Sequence, residues 1–116
     1  MYKESNPTEH YLIRDFVLKQ NGFENYSDFL KSEYWRQIKQ KSQLSKYRDN
    51  YKICWICKTT KDLQLHHENY RYLLTKDELR SIRCVCRNCH EKIHQKAYDL
   101  NINFYQAYNR VLSDYA

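Results

Sequence analysis

The sequence predicts a small α+β protein that is mostly helical, and three observations lead to this fold class. Only one glycine and one proline occur among 116 residues, so tight turns should be few. Apolar residues recur at helical spacing near both ends of the chain. Between them lies a stretch with two Cys-x-x-Cys pairs and an alternating Leu63-Gln64-Leu65, which is typical of a strand. Because 116 residues suffice for one compact domain, we expect a single domain over residues 1–116.

The first helix is predicted to begin at Pro7, with Asn6 as its N-cap and Glu9 reaching back to that cap. Gly22 stands where this helix should end. Four apolar side chains fall on one face of the helix and are its expected core positions: Leu12, Ile13, Phe16 and Val17.

A second helical stretch is predicted from about Tyr26, and Ser32 could divide it in two by offering a new N-cap. Its expected buried positions are Phe29, Leu30, Trp35 and Ile38. Residues 31–52 carry two acidic side chains and seven basic ones, namely Lys31, Arg36, Lys39, Lys41, Lys46, Arg48 and Lys52. Such concentrated positive charge suits the phosphate backbone of nucleic acid, and a merely solvated helix face explains it equally well.

The pattern changes after this basic segment. Residues 51–67 are predicted to form a β-hairpin, and the stretch from Thr75 to Glu78 is typical of a short helix start. Residues 89–96 are predicted as a helix that carries His90 and His94 one turn apart. A closing helix is expected over residues 101–115, with core candidates Ile102, Phe104, Tyr105, Tyr108 and Val111.

Four of the five cysteines form two Cys-x-x-Cys pairs with 28 residues between them: Cys54, Cys57, Cys86 and Cys89. Two such pairs supply the four thiolates of a tetrahedral zinc site, so we expect a structural zinc ion rather than a redox pair. The fifth thiol, Cys84, is expected to point into the core, although spacing alone allows it to replace Cys86.

No stretch of the sequence is long and apolar enough to span a membrane, and no leader of a charged and then an apolar segment opens the chain. We therefore expect a soluble, cytoplasmic protein with no membrane partner. Close cysteine pairs in a reducing compartment bind metal more often than they form disulfides, which agrees with the zinc prediction.

Four of the five histidines fall in two clusters, His66-His67 and His90 with His94. Each cluster lies close to one of the cysteine pairs, so closing the zinc site must bring the two clusters together. Four imidazoles that converge in a basic protein predict a second metal site with a side open to substrate. Adjacent residues of a regular strand point to opposite faces, so His66 and His67 share one site only if the strand end is distorted.

The string Leu65-His66-His67-Glu68-Asn69-Tyr70, flanked by the two cysteine pairs and followed by His90 and His94, resembles the HNH nucleases. The resemblance covers about residues 32–96. It implies a ββα-metal core, in which a β-hairpin packs on a helix around one catalytic divalent ion, with an added four-cysteine zinc site. The chain would then consist of a helical N-terminal extension with a basic helix (1–50), a zinc-knuckle core (51–96) and a C-terminal helix (97–116).

The resemblance also implies the roles of four histidines. His66 and His90 match two metal ligands of the catalytic site, His67 matches the general base, and His94 matches a position that completes the metal shell or touches the phosphate. The implied activity is hydrolysis of DNA to 5′-phosphate and 3′-hydroxyl ends with Mg²⁺, Mn²⁺, Ni²⁺ or Zn²⁺ as the catalytic ion. The family's middle asparagine, which helps to hold the base, is replaced here by Ser81 or Arg80.

The implied partner is DNA, and the residues expected to contact it are Arg36, Lys39, Lys46, Arg71 and Arg87. Each of these is also explained as an ordinary solvated side chain. Double-strand cleavage would require a homodimer or a second binding event by the same molecule. The protein could also be an accessory to a larger DNA-processing machine. Two other functions remain open: a non-catalytic zinc-stabilised DNA- or RNA-binding module, and a protein-interaction module that uses the tyrosine-rich flanks.

Overall fold

The computed structural model describes residues 4–44 and 51–115, and of residues 43 and 44 the backbone alone. Its elements confirm the mostly helical α+β class, and the strands form a two-stranded antiparallel sheet. In chain order they are α1 (Pro7–Gln20), α2 (Tyr26–Leu30), α3 (Glu33–Leu44), β1 (Leu63–His67), a short 3-10 helix (Glu78–Ser81), β2 (Ile82–Cys86), α4 (Arg87–Leu100) and α5 (Phe104–Asp114).

The predicted boundaries of the N-terminal helices are confirmed by their capping contacts. The backbone N–H of Glu9 donates to the Asn6 side chain at 3.0 Å, and Gly22 follows α1 with a left-handed φ of 88°. Ser32 separates α2 from α3, because its hydroxyl accepts a hydrogen bond from the N–H of Trp35 at 3.1 Å.

The predicted buried face of α1 is confirmed at Val17 and, partly buried, at Ile13, but it is wrong at Leu12 and Phe16. Leu12 is 64% exposed and Phe16 is 51% exposed, whereas Val17, Leu18 and His10 are buried. The buried face is rotated because the polar residue His10 takes a core position, with its ring 4.4 Å from that of Tyr70 and 4.2 Å from that of Phe104. Hydrophobic periodicity does not anticipate a buried histidine on this face.

Two other predicted core positions are also exposed, namely Leu30 at the end of α2 and Tyr105 in α5. In α2 the neighbouring Phe29 takes the core position. In α5 the buried residues Phe104, Tyr108 and Val111 follow the helical repeat, which turns Tyr105 toward solvent.

The hairpin predicted within residues 51–67 is wrong, because β1 pairs with the later strand β2. The register places Leu63 opposite Cys86 and His67 opposite Ile82. Residues 51–62 form turns instead, with left-handed backbone at Lys58 (φ 68°), which cannot continue a strand.

Helices cover both faces of this sheet, so β2 is buried along its whole length. On one face Ile82 and Cys84 belong to a core with Trp35 and other residues of α1–α3. On the other face Val85 packs into a core with Ile93 and other residues of α4 and α5. The end of β1 therefore lies between two helical layers.

Helix α4 begins earlier and ends later than predicted, so it crosses the predicted division between residues 96 and 97. It ends at Asn101, whose φ of 51° is left-handed, and Asn103 then caps α5 in a capping box with Gln106. Within the described ranges, no helix has the length and hydrophobicity needed to cross a membrane.

Candidate metal centres and active site

The four cysteines of the two Cys-x-x-Cys pairs form one group, which we call the four-cysteine cluster. The sulfur atoms of Cys54, Cys57, Cys86 and Cys89 lie within 4.8 Å of one another. The Sγ atoms of Cys57 and Cys86 are 3.7 Å apart. Tetrahedral Zn–S bonds would place two sulfurs roughly 3.8 Å apart, so the four-cysteine cluster could hold a structural metal such as zinc.

Backbone N–H groups surround the sulfur atoms of this cluster. The N–H of Cys57 donates to Cys54 Sγ at 3.5 Å, and the N–H of Cys89 donates to Cys86 Sγ at 3.4 Å. Burial would raise the pKa of Cys54, but the backbone N–H groups of Cys57, Cys86 and Ile56 lower that pKa to about 7. At Cys54 the local backbone therefore favours the thiolate form that binds metal, whereas burial raises the pKa of the Cys89 thiol.

The remaining thiol, Cys84, lies in the core as predicted and does not join the cluster. Its Sγ donates to the carbonyl oxygen of Tyr51 at 3.3 Å, and burial raises its pKa to about 11. The alternative in which Cys84 replaces Cys86 is therefore not the arrangement of this structure.

Three histidines, His66, His90 and His94, form a second group, which we call the three-histidine cluster. Their ligand atoms lie within 4.8 Å of one another, and the Nε2 atoms of His90 and His94 are 3.0 Å apart. His66 comes from β1, and the other two come from α4. Cys89 directly precedes His90 at the start of α4, so the four-cysteine cluster also fixes the position of His90.

Neighbouring side chains contact the Nδ1 atoms of two of these histidines, whose Nε2 atoms face each other. Nδ1 of His90 lies 2.6 Å from Gln64 Oε1, and Nδ1 of His94 lies 3.3 Å from the hydroxyl of Tyr11. Such partners orient a metal-binding imidazole and select its tautomer. Neither Gln64 nor Tyr11 was predicted, since their roles depend on contacts made across the fold.

The third histidine has a ring nitrogen that the fold leaves without a partner. Among the described residues, Nε2 of His66 is the one buried side-chain nitrogen or oxygen atom with no hydrogen-bond partner. An unsatisfied buried polar atom costs about 1–3 kcal/mol, so its position needs an explanation. A divalent ion bound by the three imidazoles would satisfy this atom, and the residues therefore fit a metal.

Burial also keeps the three imidazoles neutral. Burial lowers the pKa of His90. The pKa of His66 falls well below its usual value, because of burial first and then of the nearby His90 and His94 rings. The pKa of His94 falls to about 4, because of burial first and then of His90 and His10. A metal would displace no proton from these rings at neutral pH.

His67 does not belong to the three-histidine cluster. Its Nε2 lies 2.9 Å from Oε2 of Glu78, and its ring packs beside those of Trp35 and Tyr70. The strand keeps a regular register here, so His66 and His67 lie on opposite faces of the sheet. Glu78 was not predicted as a partner of this histidine.

Both faces nevertheless open onto one cavity of about 200 Å³ at the end of β1. Its lining includes five histidines and residues of α1, α2, β1 and the segment after β1, namely His10, Tyr11, Arg14, Tyr26, Leu65, His66, His67, Tyr70, His90 and His94. His90 and His94 also line a more open cleft of about 600 Å³. Two of the three clustered histidines, His90 and His94, therefore line both the cavity and the cleft.

Arg14 is the one lysine or arginine that lines this cavity within the described ranges. Its guanidinium lies over the ring of Tyr26 at 4.3 Å and that of Tyr11 at 4.9 Å, and its Nε donates to Asp15 at 2.9 Å. Sequence reasoning missed Arg14, because it lies outside the basic segment.

The residues predicted to contact DNA lie elsewhere. Arg36, Lys39, Arg71 and Arg87 are exposed, and none of these four lines the histidine cavity. Arg36 and Lys39 instead border a separate cavity of about 530 Å³ beside α3 and β1. Lys46 lies outside the described residues.

Comparisons of the chain with models of protein families, with curated proteins and with solved structures found no significant match. A function for this protein is therefore inferred from its own residues and their geometry.

Proposed function

We propose that this protein is a metal-dependent endonuclease of the HNH type that hydrolyses phosphodiester bonds in DNA. The observation that carries the proposal is the three-histidine cluster, with its unsatisfied His66 Nε2, beside a fourth histidine that lines the same cavity. A non-catalytic zinc module would have no use for these four imidazoles around one cavity.

The order of the elements supports the same proposal. Strands β1 and β2 pair antiparallel and lead directly into α4, which is the order that a ββα-metal core requires. The four-cysteine cluster joins the turns before β1 to the start of α4, and we propose that it holds zinc as a structural ion.

In the proposed reaction, His66, His90 and His94 hold a divalent ion. Such an ion, when bound, stabilises negative charge on the scissile phosphate and the leaving oxygen. His67 acts as the general base and accepts a proton from the attacking water. Metal binding and proton abstraction are assigned to different histidines. This agrees with the geometry, because the ring nitrogens of His67 are not among the converging ligand atoms.

The DNA substrate is supported by charge. The chain carries a formal net charge of +6, and Arg14 places a guanidinium at the cavity itself. We propose that Arg14 contacts a phosphate near the cleaved bond, and that the exposed Arg36 and Lys39 of α3 contact the backbone farther away.

The proposal is tested with supercoiled plasmid and protein that retains zinc but has lost more weakly held ions. Nicking should appear on addition of Mg²⁺, Mn²⁺, Ni²⁺ or Zn²⁺ and should be lost in His67→Ala, with zinc content and melting temperature confirming that the variant folds. Cleavage by the variant at the parent's rate would overturn the assignment of the base. Salt-sensitive DNA binding with no cleavage under any ion would instead favour the non-catalytic zinc module.

A further inference from the structure

We propose that Glu78 is the positioning residue for the general base, and that its buried carboxylate sets the tautomer and orientation of His67. This inference rests on the proposed function, since it assigns His67 as the base. Glu78 would take the role that the resemblance to HNH nucleases implies for an asparagine, close to the place where this chain has Ser81 or Arg80.

The carboxylate of Glu78 is fully buried and hydrogen-bonded at both oxygens. Oε1 accepts from the backbone N–H of Leu74 at 2.7 Å and from the hydroxyl of Tyr34 at 2.7 Å. Oε2 lies 2.9 Å from Nε2 of His67. Glu78 is 0% exposed and His67 is 4% exposed, so water does not compete for these contacts.

This arrangement selects one tautomer of His67. A carboxylate has only acceptors, so Nε2 of His67 must carry the hydrogen that it donates to Glu78. Nδ1 then keeps its lone pair, and no hydrogen bond to Nδ1 occurs among the described residues. Nδ1 is therefore the atom that can accept a proton.

The proton transfer follows from this tautomer. An O–H bond of the attacking water breaks, its proton passes to Nδ1 of His67, and the hydroxide oxygen forms a bond to phosphorus as the P–O3′ bond breaks. O3′ leaves with the electron pair of that bond and takes a proton from solvent water, which gives the 3′-hydroxyl end. His67 becomes positively charged in this step, with the Glu78 carboxylate against its Nε2–H. A charge-assisted hydrogen bond of this kind stabilises the imidazolium, as the aspartate of a catalytic triad does.

The backbone before β2 is built to present this carboxylate. Glu78 begins the 3-10 helix, and its N–H donates to the carbonyl of Thr75 at 3.2 Å. Leu74, which donates to Oε1, has a left-handed φ of 63° that is uncommon for leucine. An unusual backbone conformation held by a contact to a buried carboxylate is typical of a functional site.

A buried glutamate can also serve the fold alone, and Glu68 provides a matched control. Its carboxylate accepts from Arg83 at 2.7 and 3.0 Å and is buried as well, and within the described ranges it makes no hydrogen bond to the ring of His67. Glu68→Gln should lower the melting temperature without changing the tautomer of His67.

The test compares Glu78→Gln, Glu68→Gln and the parent by ¹⁵N–¹H correlation spectra of the histidine rings and by cleavage kinetics on a short duplex. We expect the parent to show His67 protonated at Nε2 alone, and Glu78→Gln to lose that exclusive tautomer. We expect kcat to fall in Glu78→Gln with KM unchanged, by as much as the roughly 10²–10⁴-fold that a positioned general base contributes. Glu68→Gln should keep the parent's kcat and tautomer.

Two results would overturn the inference: a parent His67 protonated at Nδ1, or a folded Glu78→Gln with the parent's kcat and tautomer. If Glu78→Gln does not fold, Tyr34→Phe removes one donor to Glu78 and leaves His67 untouched. It should lower kcat by a smaller factor than Glu78→Gln, and an unchanged kcat would overturn the inference. The spectra need no cleavage, so a parent that shows the expected tautomer but cuts no DNA would refute the proposed nuclease and not the pairing.

Discussion

Loss of a single thiolate from the four-cysteine cluster should cost much of the stability of this protein. Structural zinc sites of small domains contribute about 10–16 kcal/mol of apparent binding free energy, which matches or exceeds the roughly 5–15 kcal/mol by which whole domains are stable. If one ligand of four carries a quarter of that energy, Cys57→Ser loses roughly 2.5–4 kcal/mol even when zinc stays bound. If zinc leaves, the whole contribution is lost and the protein unfolds.

The four-cysteine cluster lies where several elements meet, so loss of one thiolate weakens contacts among them. Cys54, Cys86 and Cys89 belong to the core shared with α4 and α5, so loosening the cluster releases the start of α4 with it. A loss of about 2.5–4 kcal/mol corresponds to a fall in melting temperature of about 10–16 °C for a chain of this size.

Thermal melting by circular dichroism and zinc content by mass spectrometry measure this prediction. Cys84→Ser is the matched control, because its hydroxyl can still donate to the carbonyl of Tyr51 and it removes no cluster ligand. The control should keep one zinc ion per chain and most of the parent's stability. A Cys57→Ser protein that keeps the parent's melting temperature and zinc content would refute the zinc assignment, and a control that loses zinc would show that Cys84 is a ligand.

Two further predictions concern buried charges and titration. Glu68→Ala leaves Arg83 buried without its partner, because their side chains are 7% and 10% exposed, and should cost about 3–5 kcal/mol in urea unfolding; a loss below about 1 kcal/mol would contradict this. Without the second ion, stability should fall as the pH falls from 6.5 toward 4, because the pKa of His94 is lowered to about 4 and only the unfolded chain gains its proton in that range. The effect of His94 is at most about 3 kcal/mol and smaller where solvent screens the ring. The free energy of unfolding should depend less steeply on pH in His94→Gln than in the parent. Equal slopes in the two proteins would show that His94 is not the group responsible.

Features encoded by local chemistry were predictable from the sequence. Asn6 and Ser32 cap their helices as expected, because capping depends on a few neighbouring residues. The clustering of Cys54-x-x-Cys57 with Cys86-x-x-Cys89 was also predictable, because the two-residue spacing within each pair lets both of its sulfurs bind the same metal ion. The convergence of His66 with His90 and His94 followed from their closeness to those pairs.

Features that depend on long-range pairing were not predictable. Leu12 and Phe16 are exposed because a buried His10, paired with Glu4, occupies the inner face of α1. Hydrophobic periodicity cannot reveal that a polar residue occupies a core position in place of an apolar one. The hairpin was misplaced because the partner of β1 follows a long connection, and a strand's sequence does not identify its partner.

The partner of His67 illustrates the same limit at the candidate site. An asparagine was expected close to the second cysteine pair, where the sequence has Ser81 or Arg80. The structure places Glu78 against His67 instead, through a turn in which Leu74 adopts a left-handed backbone. Non-glycine residues in that conformation are rarely identifiable from sequence, so the carboxylate could not be assigned in advance.

The catalytic role of the three-histidine cluster is tested by titrating zinc-loaded protein with Mn²⁺ and measuring bound manganese and plasmid nicking on the same samples. The two-site account predicts that nicking saturates when one exchangeable ion is bound per chain. It also predicts that His90→Gln loses both that ion and nicking while keeping its zinc. Nicking that does not depend on the second ion, or that persists in folded His90→Gln, would contradict the assignment of the three-histidine cluster as the catalytic metal site.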